Sequence, residues 1–392
     1  VGSEMCIRDS FWNPQFSQFC YSFEFRPGAI TDLDSLVEPI AAFASPITFP
    51  TECEQPATTP VIASVTRDNL DGPYALPGET ILVDSMGPTL VDNPDWDGTT
   101  ATPRKIQRDY SFVGCTVELE NAAGIRTPLT GVSCGADQAS GTVPALAAGA
   151  YQVVVINTDG TESPLGATLQ VGPYANNRNI WRVPGDHATI QGAIDAAGSG
   201  DLILVGPKAD GTQYDELVVM WKPVKLQGWG AGVVTINARQ VPTEKVANWR
   251  TKVEQLLDGG LIDQLPGQEV PAPGFAALAE AGFPTEEGAG IFVAGRSSGN
   301  QSFGNPQNRG ARIDGFGIVG ASTGGGIVVN GYAQYLEIGN NRITGNAGAF
   351  GGGIRVGHPQ LITQQGNTDL YTDAENDFVR IHHNHIARNG GR

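Results

Sequence analysis

The chain has 392 residues with 52 glycines, 26 prolines and 17% charged residues. This is room for two or three domains, and it favours short strands and many turns over long solvated helices. A formal net charge of −17 argues against nucleic acid, which needs a basic face. No apolar run is long enough for a helical membrane span.

The opening "VGSEMCIRDS", residues 1–10, has no initiator Met and no signal-like pattern. It resembles translated adapter sequence and is set aside as a non-native leader. The other end, "HIARNGGR", stops within a repeat, so the chain reads as a fragment. Beyond Cys6, the cysteines Cys20, Cys53, Cys115 and Cys134 all precede residue 135, and no CxxC or Cys/His metal spacing occurs. An even set confined to one end predicts disulfides Cys20–Cys53 and Cys115–Cys134 in an exported protein; four reduced thiols in a cytosolic protein is the alternative.

Residues 11–56, aromatic and bounded by proline, read as the C-terminal part of a small β domain, and "EQPATTP" as a linker. In residues 57–173, alternating runs such as "ETILVDSMG" and "AYQVVVINTDG" are separated by Asp/Asn/Gly turns, the pattern of a small antiparallel sandwich. Tyr151 to Val171 resembles the closing hairpin of IPT/TIG-type immunoglobulin-like domains, which implies an extracellular spacer or binding module. Within this stretch "NPDWDG" sets Asn93, Asp95 and Asp97 at alternate positions, as in the front half of a calcium loop. Arg104 stands where the loop's closing Glu belongs, so a surface turn is expected and calcium is the one ion suggested.

From residue 174 the pattern changes. Ile190, Ala193, Ile194 and Ala197 form one apolar helical stripe, with Thr189 to cap its start and Gly198 its end. "LILVGP", "ELVVM", "KPVKLQG" and "VVTINA" follow as strands. This order, with Thr189-Ile190-Gln191, Gly200-Asp201 and Lys222 to Leu226, resembles the N-terminal cap and first coils of pectin-lyase-like right-handed parallel β-helices. The resemblance implies an all-β fold: a β-helix (solenoid) over residues 174–392 with an N-terminal capping helix.

A repeat supports it. "IDGFGI" (313–318), "IGNNRI" (338–343) and "IHHNHI" (381–386) share paired isoleucines; "GAGIFV", "GGGIVV" and "GGGIRV" recur between them. Removing Pro359–Asn376 restores a period of 25 residues, a solenoid period. Asn341 and Asn384 are predicted to take the left-handed corner conformation and to stack, with Phe316 in the first copy. Arg312, Glu337 and Arg380 should form an outward charge ladder with Glu337 between two guanidinium groups. Ile291, Val293, Ile327, Val329, Ile354 and Val356 should point inward, and Phe292, Val328 and Arg355 outward, in a column either roofed by the 240–287 insertion, the favoured reading, or left open as a groove floor. Insertions 240–287, with a helix at "TEKVANWRTKVEQLL", and 359–376 interrupt the period.

Three of the candidate polar groups cluster as His382, His383 and His385. His383 and His385 would share one face of an unbroken strand, but a corner at Asn384 breaks that face, so no metal site is expected. Arg355, His358, Tyr371 and Asp373, with His382 and His383, are the candidate ligand-binding residues, an aromatic, cation and carboxylate set suited to a sugar. Asp314 and Arg355 project from coil strands and read first as surface charges. The family resemblance implies polysaccharide cleavage by paired acids or by calcium with a base, but no such motif transfers to this chain. The sequence therefore predicts a secreted or cell-surface protein that binds or processes polysaccharide or another cell-surface glycan, as a lyase or glycoside hydrolase if it is an enzyme. The alternative is a non-catalytic adhesin or structural surface protein.

Overall fold

The computed structural model describes residues 52–67, 71–96, 100–173, 179–265, 287–357 and 374–391. The fold is β-rich, antiparallel sheets first and parallel sheets after them, with two α-helices among the described residues.

Contacts divide the chain into two units. The smaller comprises 88–109 with the described residues 52–57. Its strands Pro88–Asp92 and Lys105–Asp109 form an antiparallel hairpin. Arg108 donates to the backbone oxygens of Glu54 and Gln55 and pairs with Glu52. In the hairpin turn Asn93 Oδ1 accepts from Asp95 N (3.0 Å) and Asn93 Nδ2 donates to Pro103 O (2.7 Å), so that side chain closes the turn itself. Asp97 and Gly98 lie outside the described residues.

In the larger unit, two mainly antiparallel sheets enclose one apolar core. The first runs Ile62–Arg67, Thr80–Ser85, Gln138–Thr142, Thr130–Cys134; the second runs Tyr74–Ala75, Thr168–Val171, Gly149–Ile156, Thr116–Glu120, Arg126–Pro128. Alternation does the work: Ile81 and Val83 from one sheet and Val117, Leu119, Val153, Val155 and Leu169 from the other are buried together. Cys115 and Cys134 form a disulfide that ties the two sheets beside this core. Cys53 is a free thiol, so the predicted Cys20–Cys53 bridge is not seen; Cys20 lies outside the described residues.

Helix α1, Ile190–Ala196, buries Ile190, Ala193 and Ile194, and Thr189 Oγ1 accepts from Gly192 N as predicted. Its end is corrected by one residue. Ala197 is the cap, because the Gly198 N–H goes to the Asp201 carboxylate at 2.8 Å.

Three parallel sheets follow. Sheet A orders Ile180–Val183, Leu202–Val205, Lys225–Gly228, Arg312–Asp314, Glu337–Gly339 and Arg380–His382. Sheet B orders Thr235–Asn237, Gly317–Val319, Arg342–Thr344 and His385–Ala387. Sheet C orders Val218–Met220, Ile291–Val293, Ile327–Val329 and Ile354–Val356. From Arg312 the chain visits A, B and C in that order and begins again, so each aligned isoleucine lies over its counterpart: Ile313 on Ile338 on Ile381 in sheet A, and Ile318 on Ile343 on Ile386 in sheet B.

The column Phe292, Val328, Arg355 is in register on sheet C, and of its two readings the roofed one holds. Helix α2, Glu244–Asp258, buries Trp249, Val253 and Leu256, and Trp249 meets Phe292 edge-on at 5.3 Å. Phe292 and Val328 have no exposed surface and Arg355 only 9%, so the expectation of an outward surface charge at Arg355 is wrong. Val356, expected inward, is 41% exposed on the last described strand of this sheet.

Asn341 and Asn384 do stack, but the left-handed residue is the one before each: Asn340 (φ 56°) and His383 (φ 49°), with Gly315 (φ 76°) in the first copy. This leaves the following amides to close the corner. Asn341 Oδ1 accepts from Phe316 N, its Nδ2 donates to Ile313 O, and Asn384 repeats the pattern on Asn341 N and Ile338 O. A second ladder, Asn346 over Asn389, does the same on Ala321 and Ile318.

Asn341→Leu keeps the volume but strands the buried Phe316 N–H and Ile313 carbonyl. At about 1–3 kcal/mol for each unpaired group, urea unfolding should show a loss of about 2–6 kcal/mol; an unchanged midpoint would contradict the ladder. Reducing Cys115–Cys134, which closes 19 residues, should cost roughly 3 kcal/mol, measurable as a lower melting temperature in reductant.

Candidate functional site

Of the predicted binding residues, Arg355 lies on sheet C, with its guanidinium 5.8 Å from the Phe350 ring centre. His382 ends a strand of sheet A and His383 is in the turn to sheet B, so the structure does not bring Arg355 together with the two histidines. His358, Tyr371 and Asp373 lie outside the described residues. His385, considered with His383 as a same-face pair, is instead on sheet B opposite Arg342. The corner at Asn384 separates the two.

The outward face of sheet A is covered by the antiparallel region, and polar groups fill the seam. Asp314, expected on the surface, is 1% exposed. Its carboxylate accepts from Thr168 N (2.9 Å), Thr168 Oγ1 (2.7 Å), Gln227 Nε2 (2.7 Å) and Asn340 Nδ2 (2.8 Å). Arg312, 2% exposed, donates Nε to Gln227 Oε1 at 2.8 Å, so one glutamine bridges the buried cation and the buried anion. Asn340 and Gln152 exchange reciprocal amide hydrogen bonds of 2.8 and 2.9 Å. The charge ladder is thereby halved. Registers place Glu337 between Arg312 and Arg380, but only Arg380 pairs with it, at 3.0 Å, because Arg312 is turned into the seam.

At the edge of the seam Gly339 leaves a gap in the column. A Cβ there would stand 2.7 Å from His382 Cε1 and 3.1 Å from Asp314 Oδ2, so the missing side chain admits the imidazole. His382 Nδ1 and His383 Nδ1 are 3.0 Å apart. Partial burial, then the neighbouring His382, push the His383 pKa below the ordinary imidazole value, against the opposing pull of Glu120 and Asp314.

A second surface flanks sheet A at the turn from sheet C. Tyr335 and Phe378 stack with ring centres 4.9 Å apart and planes 10° apart. Arg309 lies over the other side of Tyr335, 4.2 Å from its centre, and Nη2 donates to the phenol oxygen at 3.1 Å. Phe378 ends this column 68% exposed. Tyr332, Tyr335 and Phe378 all have left-handed backbones (φ 56°, 62° and 61°), a conformation that bulky residues adopt only under constraint. Burial, with Asp263 and Glu375 nearby, pushes the Tyr332 phenol up. Sequence reasoning missed this column. Its signal was present, since Tyr335 and Phe378 have the same spacing as Ile338 and Ile381.

Among the described residues no group of three or more His, Cys, Asp or Glu side chains is placed to hold a metal ion.

Asp314→Ala should loosen the seam by leaving four donors without their acceptor, at a cost of about 3–5 kcal/mol; the urea midpoint should fall, and limited proteolysis of the full chain should run faster than in wild type. His383 contributes in a defined pH window. Its folded pKa is lowered, so the unfolded chain takes up the proton first, and stability falls as pH drops from the ordinary imidazole value toward the folded one. His383→Asn should flatten that part of the stability–pH curve, and an identical curve would count against the assignment.

No protein-family model matches the chain, and no curated protein and no solved structure proves similar to it.

Proposed function

We propose that the parallel region is a right-handed parallel β-helix of the pectin-lyase-like kind, carried by an exported or cell-surface protein beside an immunoglobulin-like domain. In this reading it binds polysaccharide or a cell-surface glycan on the Arg309–Tyr335–Phe378 column. The repeated A, B, C order, the in-register isoleucines and the asparagine ladders support the coil reading. The Cys115–Cys134 disulfide supports an oxidising location.

The observation that carries the glycan reading is Phe378. It is a flat apolar ring, 68% exposed, pre-stacked on Tyr335 and held in a strained backbone. The apolar face of a sugar ring packs on such a surface, while nearby donors and acceptors fix its hydroxyls. The Arg380–Glu337 pair begins two residues along each strand from Phe378 and Tyr335 and supplies both kinds of group. Arg309 and Arg380 favour an acidic glycan over a neutral one. The proposal is binding and not cleavage: Glu337 is paired with Arg380, and Asp314 is committed to four donors in the seam.

Acidic and neutral oligosaccharides titrated against the full chain test this. Phe378→Ala and Tyr335→Ala should each weaken binding about tenfold or more, whereas Ile125→Ala, an exposed apolar residue in the antiparallel region, should leave it unchanged. No glycan binding, or equal affinity in all four proteins, removes the proposal. Release of shortened products would favour the enzyme reading.

A further inference from the structure

The vicinal imidazoles of His382 and His383 face each other in a way the seam does not require. We propose that their Nδ1 atoms chelate a divalent transition-metal ion of the Ni²⁺, Cu²⁺ or Zn²⁺ class. The nitrogens are 3.0 Å apart and the ring planes cross at 83°. With metal–imidazole bonds of about 2.0–2.1 Å, that separation closes an angle near 90° at the ion, the cis angle of square-planar and octahedral sites. In the metal-free state one Nδ1–H donates to the other lone pair. On binding, the donor ring gives up its Nδ1 proton and takes one from solvent at Nε2, so both rings stay neutral, and a small ring rotation turns the two Nδ1 lone pairs onto the ion.

The surroundings fit a cation. Gly339 leaves the room in which the His382 ring lies, with Asp314 on the far side of the same gap. Glu120 and Asp314 are the carboxylates that face His383; of the nearby cations, Arg126 is already paired with Glu120 and Glu162. His383 occupies the left-handed corner position that Gly315 and Asn340 hold on the preceding rungs. Glycine would be less strained there, and asparagine would be adequate. The donor set is two nitrogens, which selects borderline ions over Ca²⁺ and Mg²⁺. Water completes the coordination, so the ion is exchangeable.

Calorimetric titration of the full chain with Cu²⁺, Ni²⁺ and Ca²⁺ tests the proposal, with electron paramagnetic resonance of the copper form. The expected result is one ion per chain, copper tighter than nickel, no calcium uptake at the pair, and splitting from two imidazole nitrogens. His383→Asn suits the left-handed corner, as Asn340 does, and should bind copper about tenfold or more weakly. His382→Ala, which leaves the corner residue native, should show the same loss. His187→Ala, at the start of the parallel region, should bind as wild type. Absence of stoichiometric uptake, copper bound through a single nitrogen, or wild-type affinity in both pair variants would overturn the assignment. None of these outcomes depends on whether Phe378 binds a glycan.

Discussion

The corner amides are the interaction on which the parallel region depends. A chain that turns after every three-residue strand leaves backbone groups at the turns that neither neighbouring strand can reach, and burying them unpaired would cost more than the apolar core returns. Asn341 and Asn346 meet that demand with both ends of their side chains, each bonding backbone on the rung before and receiving the same bonds from Asn384 and Asn389 on the rung after. A slip of one residue would break every such bond at once. The ladders therefore fix register, and register is what converts a sequence repeat into columns of like side chains. Ile338 lies over Ile313, and Phe378 stacks flat on Tyr335, for that reason.

The seam shows the cost of covering such a column. Arg312 and Asp314 project from sheet A as surface charges would, but the antiparallel region lies over them and removes the water. Two buried charges of opposite sign, bridged by the single amide of Gln227, compensate each other without direct contact. Buried charge networks seldom add net stability, since desolvation offsets most of the attraction. Their value here is specificity: Thr168 and Gln152 meet Asp314 and Asn340 through mutually matched donors and acceptors. Gly230 and Gly232 enforce the same placement, because a Cβ on either would lie within 2.8 Å of Ala63 or Ser64.

Much of this was legible in the sequence because it is periodic. Paired isoleucines, the glycine runs, the α1 stripe and the Cys115–Cys134 bridge all follow from local pattern. What was missed depends on what covers a face. Alternation says that Asp314 and Phe292 leave sheets A and C on their outer sides; the 240–287 insertion with Trp249 was a legible roof for sheet C, but nothing in the pattern says that Thr168 covers Asp314. The corner was misplaced by one residue for a different reason. Asn340 and Asn341 are the same residue type, and only Gly315, in the copy without asparagine, marks which position is left-handed. Arg309, Tyr335 and Phe378 were passed over because no one of them is unusual alone; the stack exists only once the rungs are aligned.

The left-handed positions themselves follow a rule that connects fold to chemistry. Gly310, Gly315 and Gly320 bracket the strands of one rung at five-residue intervals, and all have positive φ. The next rung places Tyr335, Asn340 and Gly345 at those positions, and the rung after it Phe378, His383 and Arg388, all again left-handed. Glycine is the least strained choice at every one, and each replacement costs on the order of 1 kcal/mol. The strain rises along the stack in the same direction as the exposed aromatic, imidazole and guanidinium groups accumulate. A left-handed corner residue lies outside the columns of stacked isoleucines, so, like the outer strand positions Arg312, Glu337 and Arg380, it is a repeating position where the fold can change chemistry without repacking those columns. The exposed ring of Phe378 and the imidazole of His383, which faces His382 at the end of the adjoining strand, both stand at such corners of a single rung, where other rungs carry glycine.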